Sequence, residues 1–375
     1  MLNRSKLIQE LSRVSVNLFR DCSEEISRAA SLWQLASNDP ELALKISSLE
    51  TPWLLLPIWQ QALINKSIPI QNKITEYSIL SVDGSQIYPD RHQGHSCFLI
   101  NIGSIALLYT DISSQAHLFS SPYIFSSYDP NGLHASTDLV NCKRQELEFA
   151  EGLKQGLEWQ KKNGNNPFLL LFDGSLVCWL LESKDTKLQE HFLPKYIDLL
   201  EQMHLQQIPI AGYISMPKSK ELVNVLRLIE ANFDQHNIKS QSLEHVFDTD
   251  IAHLFLQPYE RTIVFQNRAT MSMHYPPSIR PHFFYIHVGS EIARIEIPGW
   301  IANNDTLVNQ IAQIIIDQSN KGYGYPVAIA EAHEAAVVKG PDRDFFYHLL
   351  DKISIDKGIN NTISQKSIRK KHIGV

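Results

Sequence analysis

The sequence predicts an α/β protein: a mixed sheet flanked by helices, with an N-terminal helical extension. Three observations carry that prediction. Apolar residues recur at helical spacing over residues 4–35. From Tyr77 the pattern changes to short apolar runs of strand formers. Two of those runs, Ile79–Asp83 and Phe168–Asp173, lead into the same tripeptide, Asp-Gly-Ser, and a helical stretch separates them.

The elements follow in order. Leu7, Leu11, Val14 and Leu18 mark one face of the first helix, and a short helix is expected at 39–48. The apolar stretch from Trp53 to Trp59 is punctuated by Pro52 and Pro57 and reads as a packed connector. Polar residues 61–76 place a boundary near 75, which gives an N-terminal helical region over 1–75 and a main domain over 76–375. Ile79–Asp83 reads as a buried strand. Residues 96–101 and 104–110 read as a hairpin turning at Ile102-Gly103-Ser104, and the Ser-, Pro- and Gly-rich 111–136 as a loop. A helix is expected over 137–162, with Asp138 near its start and Pro167 beyond its end. After the second Asp-Gly-Ser strand, helices after 186 and around 219–232 flank a strand at 208–215. A second hairpin, 283–287 with 292–297, turns at Gly289-Ser290, and helices are expected near 304–319 and through 333–353. Three antiparallel strands joined through a helix to a parallel fourth match a ribonuclease H-like core. In that core the ends of the first and fourth strands lie side by side, which brings Asp83 next to Asp173.

Composition narrows the class. The chain has 375 residues, 43% hydrophobic and 20% charged, as ordinary globular domains do. Its apolar runs are too short for a membrane span, and Met1–Lys6 lacks the apolar core of a secretory signal. Cys22, Cys97, Cys142 and Cys178 are widely spaced without a Cys-x-x-Cys pair, as expected for reduced thiols in a cytoplasmic protein. The net charge of −6 does not announce a nucleic-acid binder. A nuclease can still be acidic, because its site is built from carboxylates; basic patches such as Lys366, Arg369, Lys370, Lys371 and His372 would then meet phosphates. No Gly-rich phosphate cradle of the Walker type is present, which counts against intrinsic ATPase chemistry.

Either Asp-Gly alone is an ordinary turn signal. The pair says more. Two carboxylates brought together where strands end cost several kcal/mol unless a cation neutralises them, so Asp83 and Asp173 point to a hard divalent ion and metal-assisted phosphoryl chemistry. The intervening helix offers Glu146, Glu148, Glu151 and Glu158 as a third acid. Glu148 is favoured because it lies mid-helix, four residues after Arg144; Glu146 and Glu151 stay open. His333, among alanines, is either a packed helix residue or a group that binds Mn²⁺ or moves a proton. Lys218, past the strand at 208–215, is a solvated loop residue or a phosphate contact. Arg294 reads by alternation as an outward strand residue that could touch DNA.

Together these residues resemble the NurA family of DNA-end-processing nucleases. The resemblance rests on Val82-Asp83-Gly84-Ser85, Arg144-Gln145-Glu146-Leu147-Glu148, Leu171-Phe172-Asp173-Gly174-Ser175-Leu176, the stretch from Gly212 to Ser219, the stretch from Ile292 to Pro298, and Tyr325-Pro326 followed by Ala332-His333. It implies a ribonuclease H-like fold, a manganese-dependent nuclease in which Mg²⁺ can substitute, and a homodimer. It also implies pairing with HerA, a hexameric DNA-translocating ATPase, in double-strand break repair by end resection. In that family's pattern Asp83, a helix glutamate, Asp173 and His333 make the metal site, with Tyr325 nearby. The expectation is therefore a DNA exonuclease, with endonuclease activity also open. Asp83, Glu148 and Asp173 would hold one or two Mn²⁺ or Mg²⁺ ions. His333 would complete a shell or protonate the leaving group, and Lys218, Arg294 and Tyr325 would face DNA. The competing expectation is a non-catalytic ribonuclease H-like scaffold that binds DNA or an ATPase.

Overall fold

A computed structural model of the chain describes residues 2–18, 21–49, 53–60, 62–71, 74–90, 97–127, 134–163, 166–182, 184–238 and 242–358. In chain order the elements are helices α1 (Arg4–Leu18), α2 (Ser23–Ser37) and α3 (Leu42–Ser47), then strands β1 (Ser67–Pro69), β2 (Tyr77–Ile87), β3 (Cys97–Tyr109) and β4 (Ser114–Ser126). Helix α4 (Thr137–Asn163) leads to β5 (Phe168–Asp173), α5 (Thr186–Leu205), β6 (Ile210–Ile214), α6 (Glu221–Glu230) and α7 (Asp248–Ala252). The chain continues through β7 (Glu260–Thr262), β8 (Phe265–Gln266), β9 (Pro281–His287) and β10 (Ile292–Pro298). It ends in α8 (Gly299–Ala302), α9 (Asp305–Lys321), α10 (Val327–Ala336) and α11 (Gly340–Asp356).

The strands form one sheet in the order β1-β7-β9-β10-β6-β5-β2-β3-β4, with β8 paired to β9. Among the described residues only β2–β5 and β5–β6 pair in parallel. An antiparallel β2-β3-β4 meander, a helical crossover and two parallel strands constitute a ribonuclease H-like core, as the element order predicts. Helices cover both faces. Along β2, Leu80 and Val82 pack in the cluster with Phe149 of α4 and Phe192 of α5, whereas Tyr77 and Ile79 pack with Ile311 of α9 and Ala332 of α10. Strand β5 is covered on both sides, and Phe168–Phe172 is accordingly one unbroken apolar run. A further cluster joins Trp33 of α2 and Ile46 of α3 to Leu222 of α6 and Phe283 of β9, so the N-terminal helices α2 and α3 pack against the outer half of the sheet.

Several elements depart from expectation. The 4–35 helix is two helices, and the 333–353 stretch is α10 and α11. The expected hairpin at Gly103 is one continuous strand, β3; the true turn follows Tyr109, and the expected loop at 111–136 contains β4. Gly103 serves a different need. A Cβ there would lie 2.2 Å from the backbone N of Ala336, so glycine lets α10 lie directly on the sheet. The basic cluster at Lys366–His372 lies outside the described residues. Among the described residues no helix is long and apolar enough to cross a membrane, and Cys142 and Cys178 are buried thiols raised by burial to about 11 and about 12.

Candidate active site

Asp83 does not end its strand. Strand β2 runs on to Ile87 along β3, but its parallel pairing with β5 stops at Val82–Phe172. Beyond that pair the sheet opens, and Asp83 and Asp173 occupy the two lips of the opening. Alternation places both on the face covered by α10. There Asp83 Oδ2 meets His333 Nδ1 at 2.8 Å, and the Tyr325 hydroxyl, from the turn before α10, lies beside the Asp173 carboxylate and favours its charged form. Helix α10 is held in place by the first motif's serine: Ser85 Oγ donates to the Ala336 carbonyl at 2.5 Å and accepts from the Val338 N–H at 3.1 Å.

Glu148 reaches the same opening from α4. Gly84 permits this, because a Cβ there would stand 2.8 Å from Glu148 Oε1 and 2.7 Å from Arg144 Cγ. Arg144 Nη1 donates to Glu148 Oε1 at 2.5 Å and to the Gly84 carbonyl at 3.3 Å, and lies 3.8 Å from Asp83 Oδ1. The other helix acids turn away. Glu146 pairs with Lys143 at 2.8 Å, and Glu151 with Lys154 and Gln155. Of the three alternatives, only Glu148 faces Asp83 across Arg144.

The electrostatics record the crowding. Burial raises Glu148 to about 8; Arg144 opposes that shift, and the charges of Asp83 and Asp173 reinforce it. Asp173 is raised by burial too, against the lowering effect of the Tyr325 hydroxyl, and Asp83 adds to the rise. Tyr325 is itself pushed up by burial and by the Asp173 charge. Among the described residues no three Asp, Glu, His or Cys side chains are gathered tightly enough to hold an ion. The Arg144 guanidinium stands in that place as the counter-charge. The donor set still suits a hard cation, since three carboxylates and one imidazole border the same opening and Glu148, raised to about 8, carries its negative charge at a cost that a cation would offset.

Two further predicted residues separate. Lys218 is exposed in the loop after β6, at the sheet edge where β5 and β6 both end. Arg294 is not outward. Alternation puts it on the face that α6 covers, and it is 3% exposed, bonded to Glu221 at 2.8 Å and Glu296 at 3.0 Å and stacked over Phe283. It contacts the protein's own acids, and the expected DNA contact is withdrawn. Sequence reasoning missed the buried Glu296, although the stretch from Ile292 to Pro298 holds it and both Asp-Gly pairs continue with serine.

The NurA domain, as a family, matches residues 77–338, and the chain belongs to the NurA family. No curated protein matches it. Among solved structures, the crystal structure of NurA is 12% identical with a TM-score of 0.39, covering 75% of this chain and 90% of that one. A NurA crystal structure with manganese is 13% identical with a TM-score of 0.40, covering 92% and 98%. Drosophila Piwi is 10% identical with a TM-score of 0.28, covering 68% of this chain and 28% of that one.

Proposed function

We propose that the chain is a metal-dependent deoxyribonuclease, a phosphodiester hydrolase that digests DNA as an exonuclease and resects broken ends in the cytoplasm. In this reading it works as a homodimer with a HerA-type ATPase. Membership of the NurA family supports this reading, and one observation carries it: Asp83, Glu148, Asp173 and His333 converge from β2, α4, β5 and α10 on one opening of the sheet.

In this proposal Asp83, Glu148 and Asp173, with His333, hold Mn²⁺ or Mg²⁺. A bound ion of this kind supplies a water activated for attack on phosphorus and stabilises the departing oxygen. The chain's own groups set the rest. Asp83 fixes the ring of His333 through Nδ1, which leaves Nε2 as the nitrogen that meets an ion or hands a proton to the leaving oxygen. Tyr325 steadies the Asp173 carboxylate by its hydroxyl. Lys218 meets the phosphate backbone, a contact without sequence preference, which suits an enzyme that digests any sequence.

One feature favours the alternative of a non-catalytic scaffold: Arg144 already neutralises the acids between which an ion would sit. The discriminating experiment incubates the purified protein with Mn²⁺ and end-labelled DNA, beside the Asp83→Asn variant. Shortening of DNA by the wild type alone supports the nuclease, and no shortening at any Mn²⁺ concentration selects the scaffold.

A further inference from the structure

The turn that carries Asp173 is tied down by a buried acid two strands away. Ser175 Oγ donates to Glu296 Oε2 at 2.6 Å, and the Leu176 N–H donates to the same oxygen at 2.9 Å. Ser175 Oγ in turn accepts from the Val177 N–H at 3.0 Å and from the Trp179 indole at 2.9 Å. The other oxygen of Glu296 accepts from Arg294 Nε at 3.0 Å, and Arg294 is fixed by Glu221 at 2.8 Å. Glu296 is 1% exposed, so this is a built polar network in the core.

The path between β10 and β5 exists because of a glycine. Glu296 lies opposite Gly212 of β6, and Gly212 lies opposite Phe172 of β5. A Cβ on Gly212 would stand 2.3 Å from the Gly174 carbonyl. Without one, the turn folds back over β6, the Gly174 N–H donates to the Tyr213 carbonyl at 2.8 Å, and Gly174 takes φ +118, a conformation in which a side chain is strained. The chain direction immediately after Asp173 is thus set from three sides.

We propose that Ser175, anchored by Glu296, is a positioning residue that aims the Asp173 carboxylate into the opening between β2 and β5. Arg294, shared between Glu296 and Glu221, supplies the counter-charge that makes a buried anchoring acid tolerable. This rests on the reading of Asp173 as a metal ligand. Ser175 touches neither ion nor DNA in that reading; it acts through Asp173, as hydrogen-bond partners behind ligating carboxylates do.

The test compares wild type, Ser175→Ala and Ser175→Thr in the full chain. Mn²⁺ affinity is read by titration calorimetry, kcat and KM on end-labelled DNA, melting temperature, and hydrogen exchange of the backbone over residues 174–179. Ser175→Ala is expected to weaken Mn²⁺ binding and lower kcat by roughly tenfold, with KM for DNA unchanged. Exchange over the turn rises, and Ser175→Thr, which keeps the hydroxyl, restores all of these. Glu296→Gln is expected to move the same readouts further, but it strips Arg294 of a partner and can cost folding, so the serine variants decide. Wild-type Mn²⁺ affinity, kcat and exchange in Ser175→Ala overturn the proposal. So do equal losses in the Ala and Thr variants that merely track melting temperature. A wild type that neither binds Mn²⁺ nor cleaves sinks the metal-site reading instead; the exchange comparison, which needs no ion, still decides whether Ser175 holds the turn.

Discussion

Asp83 and His333 stand 250 positions apart in the chain and 2.8 Å apart in space. The contact joins the central strand β2 to the late helix α10, and each partner has a separable role. Asp83→Asn is expected to reduce DNA cleavage to background with the circular dichroism spectrum unchanged, because the amide keeps the shape and loses the charge. His333→Ala should lower the rate by roughly 10²–10⁴-fold, the usual worth of a positioned proton carrier. Both are measured on end-labelled DNA with Mn²⁺, and full activity in either variant removes that residue from the site.

Glu148 is expected to make the metal-free protein less stable as pH rises from about 4.5 to about 8. Its folded carboxyl, raised by burial to about 8 from an ordinary 4.5, holds its proton more tightly than the unfolded chain does. The stability linked to that proton is therefore full below about pH 4.5, declines as pH rises and is gone above about pH 8. In chelator, the melting temperature should fall as pH rises across this window, and Glu148→Gln should flatten the fall. Added Mn²⁺ should offset it, with an affinity that climbs toward pH 8 as the carboxyl ionises. A Glu148→Gln profile that superimposes on the wild type would falsify this assignment.

Gly103→Ala is expected to injure stability and activity together. The added methyl meets the backbone of Ala335 and Ala336 rather than a yielding side chain, so α10 must shift. Overpacking of this kind costs about 1–3 kcal/mol, and the shift draws His333 away from Asp83. Thermal melts and cleavage assays should both register it; retention of wild-type cleavage would show that α10 can move without consequence for the site.

Arg294→Ala separates a buried ion-pair partner from a DNA contact. Its loss leaves Glu221 and Glu296 in the core without their cation, which costs about 3–5 kcal/mol. Denaturant unfolding should show that loss. DNA affinity per folded molecule should stay unchanged, and a selective loss of affinity at wild-type stability would return Arg294 to the DNA surface.

What the sequence made legible followed how local each cause is. The parallel strand at Phe168–Phe172 was plain because coverage on both faces leaves an unbroken apolar run, and the crossover helix was plain from its periodicity. Gly103 misled because glycine marks both turns and close approaches, and only α10, more than 220 positions later, decides between them. β4 was missed because its first seven residues are exposed, so no alternation betrays a strand. For Arg294 the alternation was read correctly, but whether that face met water depended on α6, which alternation does not encode. Among the helix acids, a mid-helix place near Arg144 favoured Glu148 and left Glu146 and Glu151 open, because the sequence does not show that Lys143 and Lys154 draw those two carboxyls away.

Placing His333 on α10 has a consequence during synthesis. A nascent chain releases β2, α4 and β5 from the ribosome before α10, and because a domain folds as a unit, the site cannot close until α10 has emerged as well. Each newly made molecule thus carries a built-in delay between acquiring its carboxylates and acquiring the group that orients against them.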